Sequence, residues 1–107
     1  MKPVATPDAP KPGGHYSQAI VHDGLVYVAG QLPIDPATSA NELGSIEDQT
    51  RLVLGNAAAV LAAAGSSLAH VLKVTVYISD MELWGRVNAV YAEVFGEHRP
   101  APDCGSL

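Results

Sequence analysis

Two residues near the carboxyl end, His98 and Cys104, are the first place to look for chemistry, because a thiolate beside an imidazole base makes a nucleophile. No third group stands where it would orient such a pair, and a spare thiol in a flexible tail is the simpler reading of Cys104. The four histidines, His15, His22, His70 and His98, show no ligand spacing of the H-x-x-x-H kind, so no metal is expected. Tyr16 carries a hydroxyl that could serve a ligand or a water, or simply sit half-buried at a strand edge. Asn88 interrupts the apolar neighbours Val87 and Val90, and a partly buried amide there needs partners, in a ligand or in a loop. Arg99 could reach inward to serve a carboxylate, but it reads first as a solvated cation.

The elements that must position these residues follow from local patterns. Met1 to Gly14 is rich in proline, alanine and glycine and reads as an extended arm. Asp23-Gly24 is a two-residue hairpin signal between Gln18–His22 and Leu25–Ala29, since glycine tolerates the positive φ of a type I′ turn. Pro33 and Pro36 end the second strand, and Asp35 to Gly44 reads as a polar loop. Ser45 is a natural N-cap for a helix that Gly65 stops, with Glu47 and Asp48 in its favourable first turn. Ile46, Val53, Ala57, Val60 and Ala64 fall on one face of it, and Ala57, Ala58 and Ala62 make a small-residue face suited to a sheet. Gly55 inside it costs about 1 kcal/mol against alanine.

His70 to Ser79 alternates as a central strand, with Leu72, Val74, Val76 and Ile78 on one face and Val71, Lys73, Thr75 and Tyr77 on the other. Asp80 then caps a second helix ending at Gly96, with Trp84, Val87, Tyr91 and Val94 on one face. The order is strand, strand, helix, strand, helix. Such α+β sheets normally close with a further strand beside the central one, yet nothing after His98 has strand character. The final strands are expected to be lacking.

Composition bounds the function classes. One domain, residues 1–107, is all the length allows. Hydrophobic residues make up 48% and charged residues 16%, an apolar and foldable mixture. Burial between subunits would accommodate the apolar excess of so short a chain. The net charge is −5 with a pI near 5.1, and the six lysines and arginines are scattered, so a nucleic-acid partner is not expected. A single cysteine, no signal-like leader and no membrane-length apolar run lead to an expectation of a cytoplasmic protein with no membrane partner.

Five stretches together carry a resemblance: "GHYSQA" (14–19), "VAGQLPIDP" (28–36), "AAGSSL" (63–68), "VLKVTVYISDM" (71–81) and "VNAVYAEVFGEHRPA" (87–101). In order and spacing they resemble the RidA family of reactive-intermediate deaminases, nearly continuously from Tyr16 to Ala101. The resemblance implies a chorismate-mutase-like α+β domain with a mixed sheet and two helices on one face. It also implies a homotrimer with a ligand cleft at each subunit interface. The activity implied is hydrolysis of enamines and imines, such as 2-aminoacrylate and 2-iminopropanoate, to 2-keto acids and ammonia with no cofactor. Tyr16 matches the tyrosine of the family's Gly-Pro-Tyr-Ser-Gln motif, with His15 in place of proline. Gly30 matches a glycine whose backbone lies close to the ligand, preceded by Ala29 where serine is frequent. Asn88 matches an asparagine that lines the cleft, and Cys104 coincides with a cysteine found in many members.

The pattern breaks after Ala101. The family continues with an arginine that grips the substrate carboxylate and then serine or threonine; here Pro102 and Asp103 stand in those positions. A planar guanidinium fork is what binds a carboxylate twice over, and proline offers no such group. The resemblance therefore implies a small imine, enamine or carboxylate ligand, with turnover impaired or replaced by binding alone. If Pro102 is encoded CCG, loss of one base would read as arginine, so a frameshifted, truncated and inactive relative is a further expectation. Resequencing the gene decides it, and any other proline codon sinks the idea.

Overall fold

The computed structural model describes residues 1–106, with side chains as far as Ala101. Asp23 and Gly24 turn the chain with φ of 51° and 76°, the positive pair that a type I′ hairpin requires. This turn joins two antiparallel strands, Ala19–His22 and Leu25–Val28. The amino-terminal segment, expected as an extended arm, contributes a strand. Lys2–Val4 forms a strand, β1, on the outer side of Ala19–His22, β2, so that with β3 (Leu25–Val28) the sheet order is β1-β2-β3. Pro3 is accommodated because β1 is an edge strand, where a missing N–H is tolerated.

Register sorts the side chains. Ala19 pairs with Val28 and Val21 with Val26, and these face inward; Ile20 with Tyr27 and His22 with Leu25 occupy the opposite face. The inward set meets Val4, Ala9 and Val60 in the main core cluster. Val60 belongs to helix α1 (Ile46–Ala63), whose N-cap Ser45 accepts a hydrogen bond from the Asp48 amide at 3.1 Å. Gly65, with φ 81°, ends it as expected. The buried face is rotated from the expected one: Thr50, Leu54, Asn56, Val60 and Leu61 are buried, and Ala59 and Ala64, rather than Ala57, Ala58 and Ala62, pack on the core. Helix α1 touches both the sheet and a second helix, so its buried stripe is wider than a single-faced pattern indicates.

After a short 3₁₀ turn at Leu68–His70, strand β4 runs from Lys73 to Ile78, shorter than the expected His70–Ser79. Val74, Val76 and Ile78 form its inner face as the alternation predicts, while Leu72 lies outside the strand and is exposed. Asp80 caps a 3₁₀ turn at Met81–Leu83, and helix α2 follows from Trp84 to Phe95, closed by Gly96 at φ 63°. Its buried residues are Val87 and Val90, whereas Trp84, Tyr91 and Val94 are half-buried.

One expectation is overturned. A strand does follow His98: Ala101–Ser106 forms β5, paired in parallel with β4 from Lys73↔Ala101 to Ile78↔Ser106. A parallel edge strand draws its stability from backbone pairing and needs no alternating pattern of its own, so Pro102 and Gly105 hid it. The architecture is α+β, with antiparallel pairing in β1-β2-β3 and parallel pairing in β4-β5.

Candidate functional site

Helix α2 and the turn that follows it set out the one expected site residue that borders a substantial cleft. Trp84, Asn88, Tyr91 and Phe95 recur at helical spacing on one side of α2, and Gly96 then reverses the chain to bring His98, Arg99 and Pro100 back towards Val74 of β4. Between them lies a cleft of about 410 Å³. Its wall is a row of rings: Trp84 to Tyr91 at 6.2 Å between centroids, Tyr91 to Phe95 at 5.5 Å, and Phe95 to His98 at 6.2 Å, all tilted.

His98 is half-buried and bonded to the backbone. Its Nε2 lies 2.7 Å from the carbonyl oxygen of Val71; an oxygen of that kind only accepts, so Nε2–H donates. That bond ties the turn after α2 to the start of β4 and sets the direction in which β5 departs. Asn88 is exposed on the cleft rather than partly buried. Arg99 is exposed at the same cleft, and among the described residues it has no carboxylate or hydrogen-bonding partner.

The other two arginines are committed elsewhere. Arg86 of α2 holds Glu47 of α1 through two hydrogen bonds, 2.7 and 2.6 Å, and Arg51 of α1 holds Glu93 of α2 at 2.8 and 3.2 Å. The hydrogen bonds from Arg86 hold the Glu47 carboxyl well below its ordinary 4.5, at about 2, and Arg51 lowers Glu93 in the same direction. These two forks tie α2 to α1 at the surface.

The remaining expected site residues lie apart from this cleft. Tyr16 is exposed and its hydroxyl accepts from the Gly13 amide at 3.2 Å; Gly30 is exposed just beyond β3, with open space where a Cβ would stand. The Ala29 amide donates to the Gln18 carbonyl at 2.9 Å, which brings Ala29 and Gly30 alongside the Tyr16 segment. Tyr16, Ala29 and Gly30 therefore form one group and Asn88 belongs to another; none of the three lines the α2 cleft. The backbone of Pro102 pairs with Val74, which does line it, and that of Cys104 with Val76. The side chains of Pro102, Asp103 and Cys104 lie outside the described residues. Among the described residues, no three histidine, cysteine, aspartate or glutamate side chains gather as metal ligands would.

Two positioning residues escaped the sequence reading. Gln18, only 5% exposed, accepts from the Thr6 amide at 2.6 Å and donates to the carbonyls of Thr6, Ala9 and Pro10 at 3.0 to 3.3 Å. It pins the amino-terminal segment over β2. Asn56, 2% exposed, donates to the carbonyls of Leu32 and Ile34 at 3.3 and 2.9 Å and so holds the loop after Gly30. The signal for Asn56 was an amide inside an alanine-rich helix face, where a buried polar group must have partners.

Comparison with known proteins agrees with this geometry. The family model described as Endoribonuclease L-PSP matches residues 6–105. A RutC family protein of Pyrococcus horikoshii is 54% identical over 98 residues, which cover 92% of this chain and 78% of the relative. The crystal structure of RidA from the Antarctic bacterium Psychrobacter superposes with a TM-score of 0.95 at 33% identity, covering 100% of this chain and 86% of that one. Escherichia coli TdcF, solved with bound serine, superposes with a TM-score of 0.94 at 34% identity, again covering 100% of this chain and 86% of that one. No helix of the described residues is long and apolar enough to cross a membrane. With its α+β frame, its matched motifs and these relatives, the chain belongs to the RidA (endoribonuclease L-PSP) family.

Proposed function

We propose that this chain binds small carboxylate metabolites of the amino-acid and 2-imino-acid class, and that its hydrolytic deamination of 2-aminoacrylate and 2-iminopropanoate is strongly reduced. Hydrolysis of an imine adds water to the C=N carbon, and the resulting carbinolamine expels ammonia to leave the 2-keto acid. The reaction needs the carboxylate held still while water attacks. The observation that carries the reading is the β4–β5 register. It sets position 102 beside Val74, a cleft-lining residue, and the residue there is proline where the family's clamp is arginine. The serine bound to Escherichia coli TdcF supports the ligand class.

A homotrimer with ligand sites between subunits is part of the same proposal. It is supported by the separation of the Tyr16–Gly30 group from Asn88, which a neighbouring copy would reconcile, and by the apolar outer face of the strands. Tyr27 on β3 and Tyr77 on β4 are 58% and 68% exposed.

The test is to generate 2-iminopropanoate with an amino-acid oxidase and follow its loss with micromolar protein. The parent chain is expected to run within a few-fold of the protein-free control. Pro102→Arg is expected to raise the rate about a hundredfold, the scale of one charge-assisted contact to a bound carboxylate. A parent chain that clears the imine rapidly would overturn the proposed impairment.

A further inference from the structure

Proline at position 102 offers no cation where the resemblance implies one, but another cation, Arg99, lines the cleft. Arg99 borders the same space as Asn88, and it is the one arginine of three that no carboxylate occupies among the described residues. The same cleft is lined by the row of rings from Trp84 through Tyr91 to Phe95. The volume, about 410 Å³, lies within the range of roughly 300 to 1,000 Å³ typical of small-organic-ligand sites. It exceeds what a three-carbon imino acid needs.

We infer that the cleft is selective for carboxylates bearing an aromatic or similarly large apolar group, with Arg99 taking the carboxylate and the α2 rings taking the body. The inference rests on reading the Asn88 cleft as the ligand site, and it names that site's ligand class. The physical logic is a division of labour. A guanidinium fork and an amide, Arg99 and Asn88, recognise a planar anion. A tilted row of rings offers a flat ligand edge-to-face and offset contacts that a methyl group cannot use. Among the described residues, Arg99 differs from Arg51 and Arg86 in having no ion pair to break before it engages.

The probe is 3-phenylpropanoate, with propanoate and 3-phenylpropanol as its two halves. Binding is measured by calorimetry and by the emission of Trp84, the sole tryptophan and itself a wall of the cleft. The parent chain is expected to bind 3-phenylpropanoate at least tenfold more tightly than either half, with a change in Trp84 emission. Arg99→Gln is expected to lose at least about tenfold for the acid and nothing for the alcohol, the lower end of what one charged hydrogen-bonded contact contributes, since Arg99 is exposed. Because Arg99 is exposed, this change leaves folding intact. Equal affinity of Arg99→Gln for the acid, propanoate binding as tightly as 3-phenylpropanoate, or no binding of the acid would each overturn the inference. The two proposals fail separately. Arg99-dependent binding with imine turnover that ignores Pro102→Arg sinks only the deaminase reading. Turnover restored by Pro102→Arg with binding indifferent to Arg99 sinks only this one.

Discussion

Gln18 and Asn88 show how differently two amides can be used. Asn88 is exposed and borders the α2 cleft. Gln18 sits in the same matched motif as Tyr16, yet its work is structural, because one buried side-chain amide serves four backbone groups of Thr6, Ala9 and Pro10. Only the folded path of residues 1–14 over β2 reveals this, since nothing in a proline-rich stretch announces which carbonyls will be buried. Replacing Gln18 with alanine leaves those groups short of partners. The expected cost is about 2 kcal/mol in urea unfolding, with faster proteolysis inside residues 1–14. An unchanged midpoint and cleavage pattern would show that the segment holds itself.

Among the elements, the two helices were legible from their caps and stops, because Ser45, Gly65, Asp80 and Gly96 act locally. Their mutual orientation was not, for it depends on Arg86 reaching Glu47 and Arg51 reaching Glu93 across about forty residues of sequence. The Glu47 pair makes the contact pH-dependent in a definite direction. A carboxyl held at about 2, against an ordinary 4.5, contributes stability that is complete above 4.5 and is lost as the pH falls towards 2. Thermal melts of the parent chain should therefore decline across that window more steeply than those of Glu47→Gln. The variant should be the less stable of the two at neutral pH, and the gap should close at the acid end. Parallel melting curves would show that the fork is not coupled to folding.

At the scale of the whole molecule, the inner faces of β1, β2 and β3 are covered by α1, while Leu25 and Tyr27 on their outer face and Tyr77 on β4 are exposed to solvent. Exposed rings and aliphatic chains on strands are what a subunit interface requires. The proposed trimer predicts a three-chain mass by light scattering at micromolar concentration. Tyr27→Glu combined with Tyr77→Glu should shift that mass to one chain, because two buried charges would have no partners. A parent chain that runs as a monomer would remove the interfacial sites from the proposal.

The sequence alone determined the elements with local causes: the Asp23-Gly24 hairpin, the two capped helices, the alternating strand β4, and a family match carried by short motifs. It also located the break at Pro102. Tertiary structure decided what depends on distant backbone: that residues 2–4 and 101–106 become strands, and that Gln18 and Asn56 serve as clamps. It likewise brought Arg99 to the same cleft as a row of rings. Edge strands take their pairing from a neighbour's unpaired N–H and C=O groups and buried amides from whichever carbonyls fold onto them, so neither leaves a periodic mark in the chain that contains it.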